Sequence, residues 1–258
     1  GISIHGLEPY ATYSIVVEGR HNGAAVFNLE RTFRTWPTAP ISVSPPTGRA
    51  KSTSEIELHW FAPTQLNGIL KPYLVVCFDL ANPSFQQSTI TKDNASTSVI
   101  VGNLRPGIEY RCSVVTRKHP GLGQDSKQCS RASDFSAPIR TMALAPSRVS
   151  RPRGMATSPT EIQLTWSKPK HPNGILKPYR VVCRDVAQFY APSMAITKDN
   201  ETTSVIVKNL HPDTTYQCLV VASTIAAVGQ DPLECERLSN PSNLIRTKSQ
   251  SALLASGN

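Results

Sequence analysis

The stretch NGILKPYLVVC at Asn67–Cys77 occurs a second time as NGILKPYRVVC at Asn173–Cys183, with Arg180 in place of Leu74. The same shift of 106 residues, applied to the whole sequence, aligns the two copies without a gap and superposes their three cysteines. A chain of 258 residues also exceeds a single core of ordinary size. The sequence therefore predicts two homologous domains in tandem.

Proline and small residues mark the borders of the two copies. They collect at Thr35–Pro40 and at Met142–Ser147. These positions predict full domains at residues 37–143 and 144–249 and a tail at 250–258. Each domain is large enough to bury its own core.

Residues 1–36 carry a third, incomplete copy. Leu7, Pro9 and Tyr13 keep the Leu-x-Pro-x-x-x-Tyr spacing of both full copies, but the first strands of a copy are missing. The chain starts at Gly1 inside a strand-like pattern. We therefore expect it to belong to a longer protein, with any signal peptide or membrane segment outside this chain.

The apolar residues alternate with period two in four segments of the first copy. Alternation indicates one buried and one solvated face, as in antiparallel sheets packed face to face. No helical period of useful length lies between the segments. The pattern predicts an all-β sandwich. The predicted strands are Glu55–Trp60, Tyr73–Cys77, Thr97–Val101 and Tyr110–Val114.

Each copy resembles the fibronectin type III domain. The shared features are Trp at the end of the second strand, Asn-Gly opening the third, Leu-x-Pro-x-x-x-Tyr before the sixth, and Arg-Thr closing the seventh. The resemblance implies tandem seven-stranded immunoglobulin-like β-sandwiches. It further implies that Trp60 and Trp166 lie in the cores and that Tyr110 and Tyr216 form the tyrosine corner. The alternation alone also fits another immunoglobulin-like sandwich.

The resemblance also implies a disulfide in each domain. In the resembled fold the third and sixth strands are antiparallel neighbours, which brings Cys77 near Cys112 and Cys183 near Cys218. A bridge is credible if the Cα atoms approach within about 7 Å. The alternative is two buried free thiols that pack as small apolar groups.

The third cysteine of each copy, Cys129 or Cys235, is left over. It could be free, could pair with another chain, or could displace the pairing above. A metal site is disfavoured because the chain has no Cys-x-x-Cys or Cys/His pair with ligand spacing and the copies share no histidine. We expect no cofactor.

Asn94-Ala-Ser and Asn200-Glu-Thr are N-glycosylation acceptor sequences at the same position of the two copies. The residues after the asparagines differ, yet both sites keep the acceptor pattern. We therefore predict glycans at Asn94 and Asn200 and an extracellular or cell-surface location.

The net charge of +9 is spread along the chain. Arg151 with Arg153, or Lys168 with Lys170 and His171, could form a patch for a sulfated glycan, and a solvated basic face is the alternative. Nucleic-acid binding is disfavoured because the aromatic residues are assigned to the cores.

No sequence motif for catalysis is present, so we expect no enzyme activity. Combined with the resemblance, this predicts a non-catalytic extracellular interaction and spacer module of a cell-adhesion, receptor or matrix protein. Its partner would be a protein ligand or cell-surface receptor. One alternative is the ectodomain fragment of a receptor-type enzyme such as a protein tyrosine phosphatase. Another is an intracellular structural array of muscle-filament type.

Overall fold

The computed structural model describes residues 2–188 and 191–250. These residues form β-strands joined by turns, with two short 3-10 helices among them at Ser126–Cys129 and Pro232–Cys235. None of the described helices is long and apolar enough to cross a membrane. The predicted tail at 250–258 lies outside the described residues except for Gln250.

The first strands form an isolated antiparallel hairpin of β1 (Thr12–His21) and β2 (Ala24–Arg34). The hydroxyl of Tyr13 accepts a hydrogen bond from the backbone N–H of Glu8 at 2.7 Å. The assignment of residues 1–36 to a truncated domain stays a prediction. Several apolar side chains of the hairpin are exposed, namely Val16, Val17, Val26, Phe27 and Leu29.

The first sandwich packs two sheets on each other. Its strands are β3 (Thr47–Ala50), β4 (Ile56–His59), β5 (Leu74–Asp79), β6 (Gln86–Ile90), β7 (Ser98–Val101), β8 (Glu109–Arg117), β9 (Ser130–Ala132) and β10 (Ile139–Arg140). One sheet has the order β3-β4-β7, and the other contains β6, β5 and β8 with both β9 and β10 paired to β8.

The seventh strand of the first sandwich is divided into β9 and β10. Between them, the backbone N–H groups of Ser133 and Ser136 donate to the carbonyls of Val114 and Cys112, each at 2.8 Å. The intervening segment thus stays attached to β8. Counted as one strand, β9 and β10 complete the predicted seven strands.

The second sandwich repeats this arrangement. Its strands are β11 (Arg153–Ser158), β12 (Glu161–Thr165), β13 (Arg180–Asp185), β14 (Ser193–Ile196), β15 (Ser204–Val207), β16 (Thr215–Ser223), β17 (Glu236–Leu238) and β18 (Ile245–Arg246). The sheets have the orders β11-β12-β15 and β14-β13-β16-β17, and β18 also pairs with β16. The predicted all-β, tandem sandwich fold is confirmed.

Each core is built around an edge-on pair of aromatic rings. The ring centroids of Trp60 and Tyr73 lie 5.4 Å apart, and those of Trp166 and Tyr179 lie 5.5 Å apart. All four side chains are buried. Such edge-to-face packing is favourable beyond the apolar area that it buries.

The chain divides into two compact units, and the borders of these units differ from the predicted domain borders. One unit contains residues up to 49, 56–103 and 110–139, and the other contains 50–55, 104–109 and the chain from 140 onward. The predicted domain borders at 36/37 and 143/144 therefore stay predictions.

We predict that Tyr216→Phe destabilises the second sandwich and that Tyr179→Phe does not. The Tyr216 hydroxyl accepts a hydrogen bond from the backbone N–H of His211 at 2.9 Å. Its loss should cost about 1 kcal/mol, or about 4–8 °C in melting temperature. The Tyr179 hydroxyl is buried with no hydrogen-bond partner among the described residues. Calorimetry of the full chain tests this contrast, and equal losses for the two variants would contradict it.

Candidate interaction surface

The strand register brings the predicted cysteine pairs together. Cys77 lies directly opposite Cys112, and Cys183 lies opposite Cys218. The Sγ atoms are bonded at 2.03 Å and 1.99 Å, and the Cα atoms lie 4.0 Å and 4.1 Å apart. Each bridge joins residues 35 apart, which should stabilise its sandwich by about 3–4 kcal/mol through the constrained unfolded chain.

The third cysteines, Cys129 and Cys235, are free and buried. Each lies at the end of a 3-10 helix. The Cys129 thiol donates a weak hydrogen bond to the carbonyl of Pro37 at 3.7 Å. Burial raises the pKa of this thiol above its usual value, although nearby Lys118 acts against that shift. The neutral thiol therefore behaves as a core group.

Lys118 is a buried cation that the sequence analysis missed. Only 1% of the residue is exposed, and its Nζ donates to the carbonyl of Thr38 at 2.5 Å. Burial lowers the pKa of Lys118, and the nearby Cys129 thiol acts in the opposite direction. In the second copy the hydroxyl of Thr224 donates to the corresponding carbonyl, that of Leu144, at 2.9 Å. In the sequence, the only indication that position 118 is unusual was that Lys118 aligns with Thr224 of the second copy.

We predict that Lys118 makes the first sandwich more stable as the pH rises towards the usual lysine pKa of 10.5. Its folded-state pKa is lowered, so the unfolded chain binds more protons between the two pKa values and stability increases with pH in that window. Lys118→Met keeps the apolar stem and should abolish this increase. Melting temperatures between pH 7 and 9.5 provide the measurement, with the Thr224-containing second sandwich as internal control. An unchanged pH slope in the variant would refute the assignment.

The acceptor sequence at Asn94 forms a structured turn. The carboxylate Oδ1 of Asp93 accepts from the backbone N–H groups of Ala95 at 3.1 Å and Ser96 at 2.8 Å, and from the Ser96 hydroxyl at 2.7 Å. The Asn94 amide donates to the carbonyl of Leu70 at 3.1 Å. The Ser96 hydroxyl is the main cause of the lowered pKa of Asp93.

The turn at Asn200 has the same hydrogen bonds. Asp199 accepts from Glu201 and from both the backbone and hydroxyl of Thr202, and the Asn200 amide donates to the carbonyl of Leu176 at 3.1 Å. The turn thus uses Asp, Asn and a hydroxyl residue whether or not a sugar is attached. This gives both acceptor sequences a structural reason that sequence reasoning missed. Glycosylation at Asn94 and Asn200 stays a prediction.

The repeated NGILKPY segments shape the entry to the third strand. Asn67 and Asn173 have positive φ angles of 39° and 57°, and Gly68 and Gly174 have φ angles of 145° and 150°. A Cβ atom on Gly68 would also lie 2.7 Å from the Cβ of Pro37. These backbone conformations explain why both copies have Asn-Gly at this position.

The outer face of the five-stranded sheet in the second sandwich carries several apolar side chains. By register, Met194, Val182 and Leu219 form one row across β14, β13 and β16. Met194 is 62% exposed, Ile196 on the same strand is 67% exposed, and Leu238 of β17 is also exposed. Outward positions of a solvated sheet normally carry polar side chains. These five residues, called the outer sheet face below, form a candidate contact surface.

The corresponding face of the first sandwich also carries exposed apolar side chains. Ile90 at the end of β6 and Phe135 between β9 and β10 are exposed. Phe135 packs edge-on against Phe78 of β5, with ring centroids 5.8 Å apart. Both copies therefore have some exposed apolar side chains on the outside of this sheet.

The loops that contain Gly-Gln-Asp are held by their own side chains. Asp125 and Asp231 accept from backbone N–H groups and cap the 3-10 helices. Gln124 and Gln230 donate to the carbonyls of Pro37 and Ala143, both at 2.7 Å. These contacts give the repeated Gly-Gln-Asp triplet a structural role within its loop. The same loops also expose one aliphatic side chain each, Leu122 and Val228.

The two predicted basic patches differ in the structure. The ammonium of Lys168 forms an ion pair with the carboxylate of Glu201, which neutralises part of the patch with Lys170 and His171. Arg151 and Arg153 instead line a cleft. Among the residues that the structure describes, no group of three His, Cys, Asp or Glu side chains could hold a metal ion.

Comparison with known families agrees with the sandwich fold. The sequence profile of the family described as "Fibronectin type III domain" matches residues 43–131 and 145–234. Each match falls on one sandwich, and together they span well over half of the chain.

Three curated relatives cover the chain to different extents. Mouse Usherin is 27% identical over 95% of this chain, which corresponds to 4% of the Usherin length. The human phosphatidylinositol phosphatase PTPRQ is 29% identical over 74% of the chain and 8% of its own length. The human netrin receptor DCC is 28% identical over 58% of the chain and 10% of its own length. The chain thus spans a small part of each of these proteins.

Proposed function

The chain belongs to the fibronectin type III family, and from this membership we propose that it is a non-catalytic extracellular module. It would act as a spacer and as an interaction surface for other molecules. The parent would be a cell-adhesion, receptor or matrix protein. The partner would be a protein ligand or a cell-surface receptor. Its similarity to a protein named as a receptor, netrin receptor DCC, supports this proposal.

The extracellular location is supported by the two disulfides. Disulfides between neighbouring strands form and persist in oxidising compartments and are rare in the cytosol. Both copies carry the bridge at the same position, Cys77–Cys112 and Cys183–Cys218. This disfavours the intracellular structural array.

The observation that carries the binding role is the apolar outer sheet face of the second sandwich. Exposed apolar side chains on neighbouring strands provide the kind of surface that protein partners bury. Arg180 lies between Ile196 and Val221 on this face, and arginine is enriched at such interfaces. Its Nη2 donates to Glu236 at 3.1 Å, which holds the guanidinium against the sheet.

The receptor-type enzyme alternative rests on the PTPRQ match. That match covers 74% of the chain, compared with 95% for Usherin. We therefore do not favour it over the general adhesion or receptor assignment.

Glycosylation and cysteine alkylation test the proposed extracellular location. We expect the chain secreted by eukaryotic cells to lose mass on glycosidase treatment, with Asn94→Gln and Asn200→Gln each removing one glycan. After denaturation without reductant, alkylation should label Cys129 and Cys235 alone. Labelling of all six cysteines in material from its native source would contradict an extracellular location.

Binding to intact cells tests the role of the outer sheet face. A dimeric fusion of the full chain should bind the surface of a responsive cell line, and protease treatment of the cells should remove this binding. Met194→Lys with Ile196→Lys should reduce binding at least tenfold because two buried charges would disrupt the contact. Met155→Lys with Ile206→Lys adds the same charges to the other sheet and should change little. Equal losses for both pairs would exclude the outer sheet face as the contact.

A further inference from the structure

Two methionines carry the accessible sulfur atoms of the described chain. All six cysteines are fully buried, and four of them form the two disulfides. Met194 on β14 and Met155 on β11 are instead 62% and 64% exposed, and Met142 is half-buried. Because oxidation of sulfur follows its exposure, a dissolved oxidant reacts first with the thioethers of Met194 and Met155.

Oxidation of a methionine requires no catalytic group. The thioether sulfur attacks one oxygen of hydrogen peroxide, the O–O bond breaks, and the sulfur keeps the attacked oxygen. The proton of that oxygen passes to the other oxygen, which leaves as water. The sulfur loses two electrons and the peroxide gains them. The product, methionine sulfoxide, is polar and chiral, and reductases convert it back to methionine. The reaction can therefore switch a contact in both directions.

Met194 is part of an apolar row on the outer sheet face. By register it lies opposite Val182, which lies opposite Leu219 on the next strand. Neither neighbour has a hydrogen-bonding side chain, and Met194 is more exposed than both. A sulfoxide oxygen here binds water, and an apolar partner surface covers it only by removing that water without replacing the hydrogen bond. Oxidation thus converts an adaptable contact residue into one that opposes the contact.

The first sandwich and the second sheet lack this arrangement. Ser88 takes the place of Met194 in the first copy, where it lies opposite Val76. Met155 is as exposed as Met194, but it belongs to the sheet of β11, β12 and β15 and lies opposite Gln163. Oxidation of Met155 adds a polar group to a row that already has one. Met155 is therefore a control for exposure alone.

We propose that Met194 is an oxidation site that controls binding at the outer sheet face. The face binds its protein partner while the thioether is intact, and oxidation to the sulfoxide releases that partner. The co-reactant is a peroxide from the surroundings of the protein. This inference rests on the proposed protein-binding function of the outer sheet face. It assigns the control to the second sandwich alone, because the first has Ser88 at this position.

Cell binding after oxidation of the purified chain tests the proposal. The dimeric fusion is treated with hydrogen peroxide until mass spectrometry of its peptides shows one added oxygen on both Met194 and Met155. Catalase then removes the peroxide. We expect protease-sensitive cell binding to fall at least tenfold with an unchanged melting temperature. Methionine sulfoxide reductases A and B, which act on the two sulfoxide epimers, should restore it. A loss of binding that accompanies unfolding would contradict the proposal.

Two leucine variants separate the effects of the two methionines. Met155→Leu should lose binding on oxidation as the parent chain does. Met194→Leu removes the oxidation site, so its binding after peroxide should stay within twofold of the untreated sample of the same variant. The proposal would be overturned by a tenfold loss in oxidised Met194→Leu, or by protection of binding in Met155→Leu.

The untreated chain separates this proposal from the binding role on which it rests. If the untreated chain shows no protease-sensitive cell binding, the binding role fails and the control by Met194 fails with it. If the untreated and oxidised chains bind cells equally well, the binding role stands and only the control by Met194 fails.

Discussion

The antiparallel register between the third and sixth strands is the constraint on which each sandwich depends. In the first copy, Val75 lies opposite Val114 and Cys77 lies opposite Cys112, with all four side chains buried. A slip of one residue would turn these groups outward and bring their polar and half-exposed neighbours into the core. The disulfide between directly opposed residues fixes the register covalently. The set of outward side chains is fixed by the same bond.

Because the inward set is fixed, the two copies have diverged on the outside. Leu74 and Ser130 of the first copy correspond to Arg180 and Glu236 of the second. Arg180 and Glu236 form an ion pair at 3.1 Å, so the two replacements belong together. A partly exposed pair of this kind contributes little to stability. The difference is better understood as a change in the surface that a partner meets.

Sequence reasoning succeeded where the signal is local. Period-two alternation placed Ile56, Leu58 and Trp60 in the core, and the structure buries all three. It could not find Lys118, because burial of a lysine beside the Thr38 carbonyl depends on residues 80 positions apart. Amphipathic side chains near strand ends usually reach solvent. Tertiary packing decides such cases.

The same limit applied to the candidate sites. The Asn and the Ser or Thr of an acceptor sequence can serve either a glycan or a turn. Only the hydrogen bonds to Asp93 and Asp199 show that the turn itself uses these residues. The basic patches looked alike in the sequence. Glu201, which neutralises Lys168, is 33 residues away from it. Arg151 instead contacts the neutral amide of Asn243, and no carboxylate among the described residues forms an ion pair with it. That difference appears only in three dimensions.

The outer sheet face of the second sandwich lies on β13, β14, β16 and β17. Exposed apolar side chains recur on the corresponding sheet of the first copy, at Ile90 and Phe135. The arginines at 148, 151 and 153 do not recur, because Ser42, Pro45 and Thr47 take their places in the first copy. Duplication of one sandwich has thus kept the core constant and allowed its surfaces to specialise.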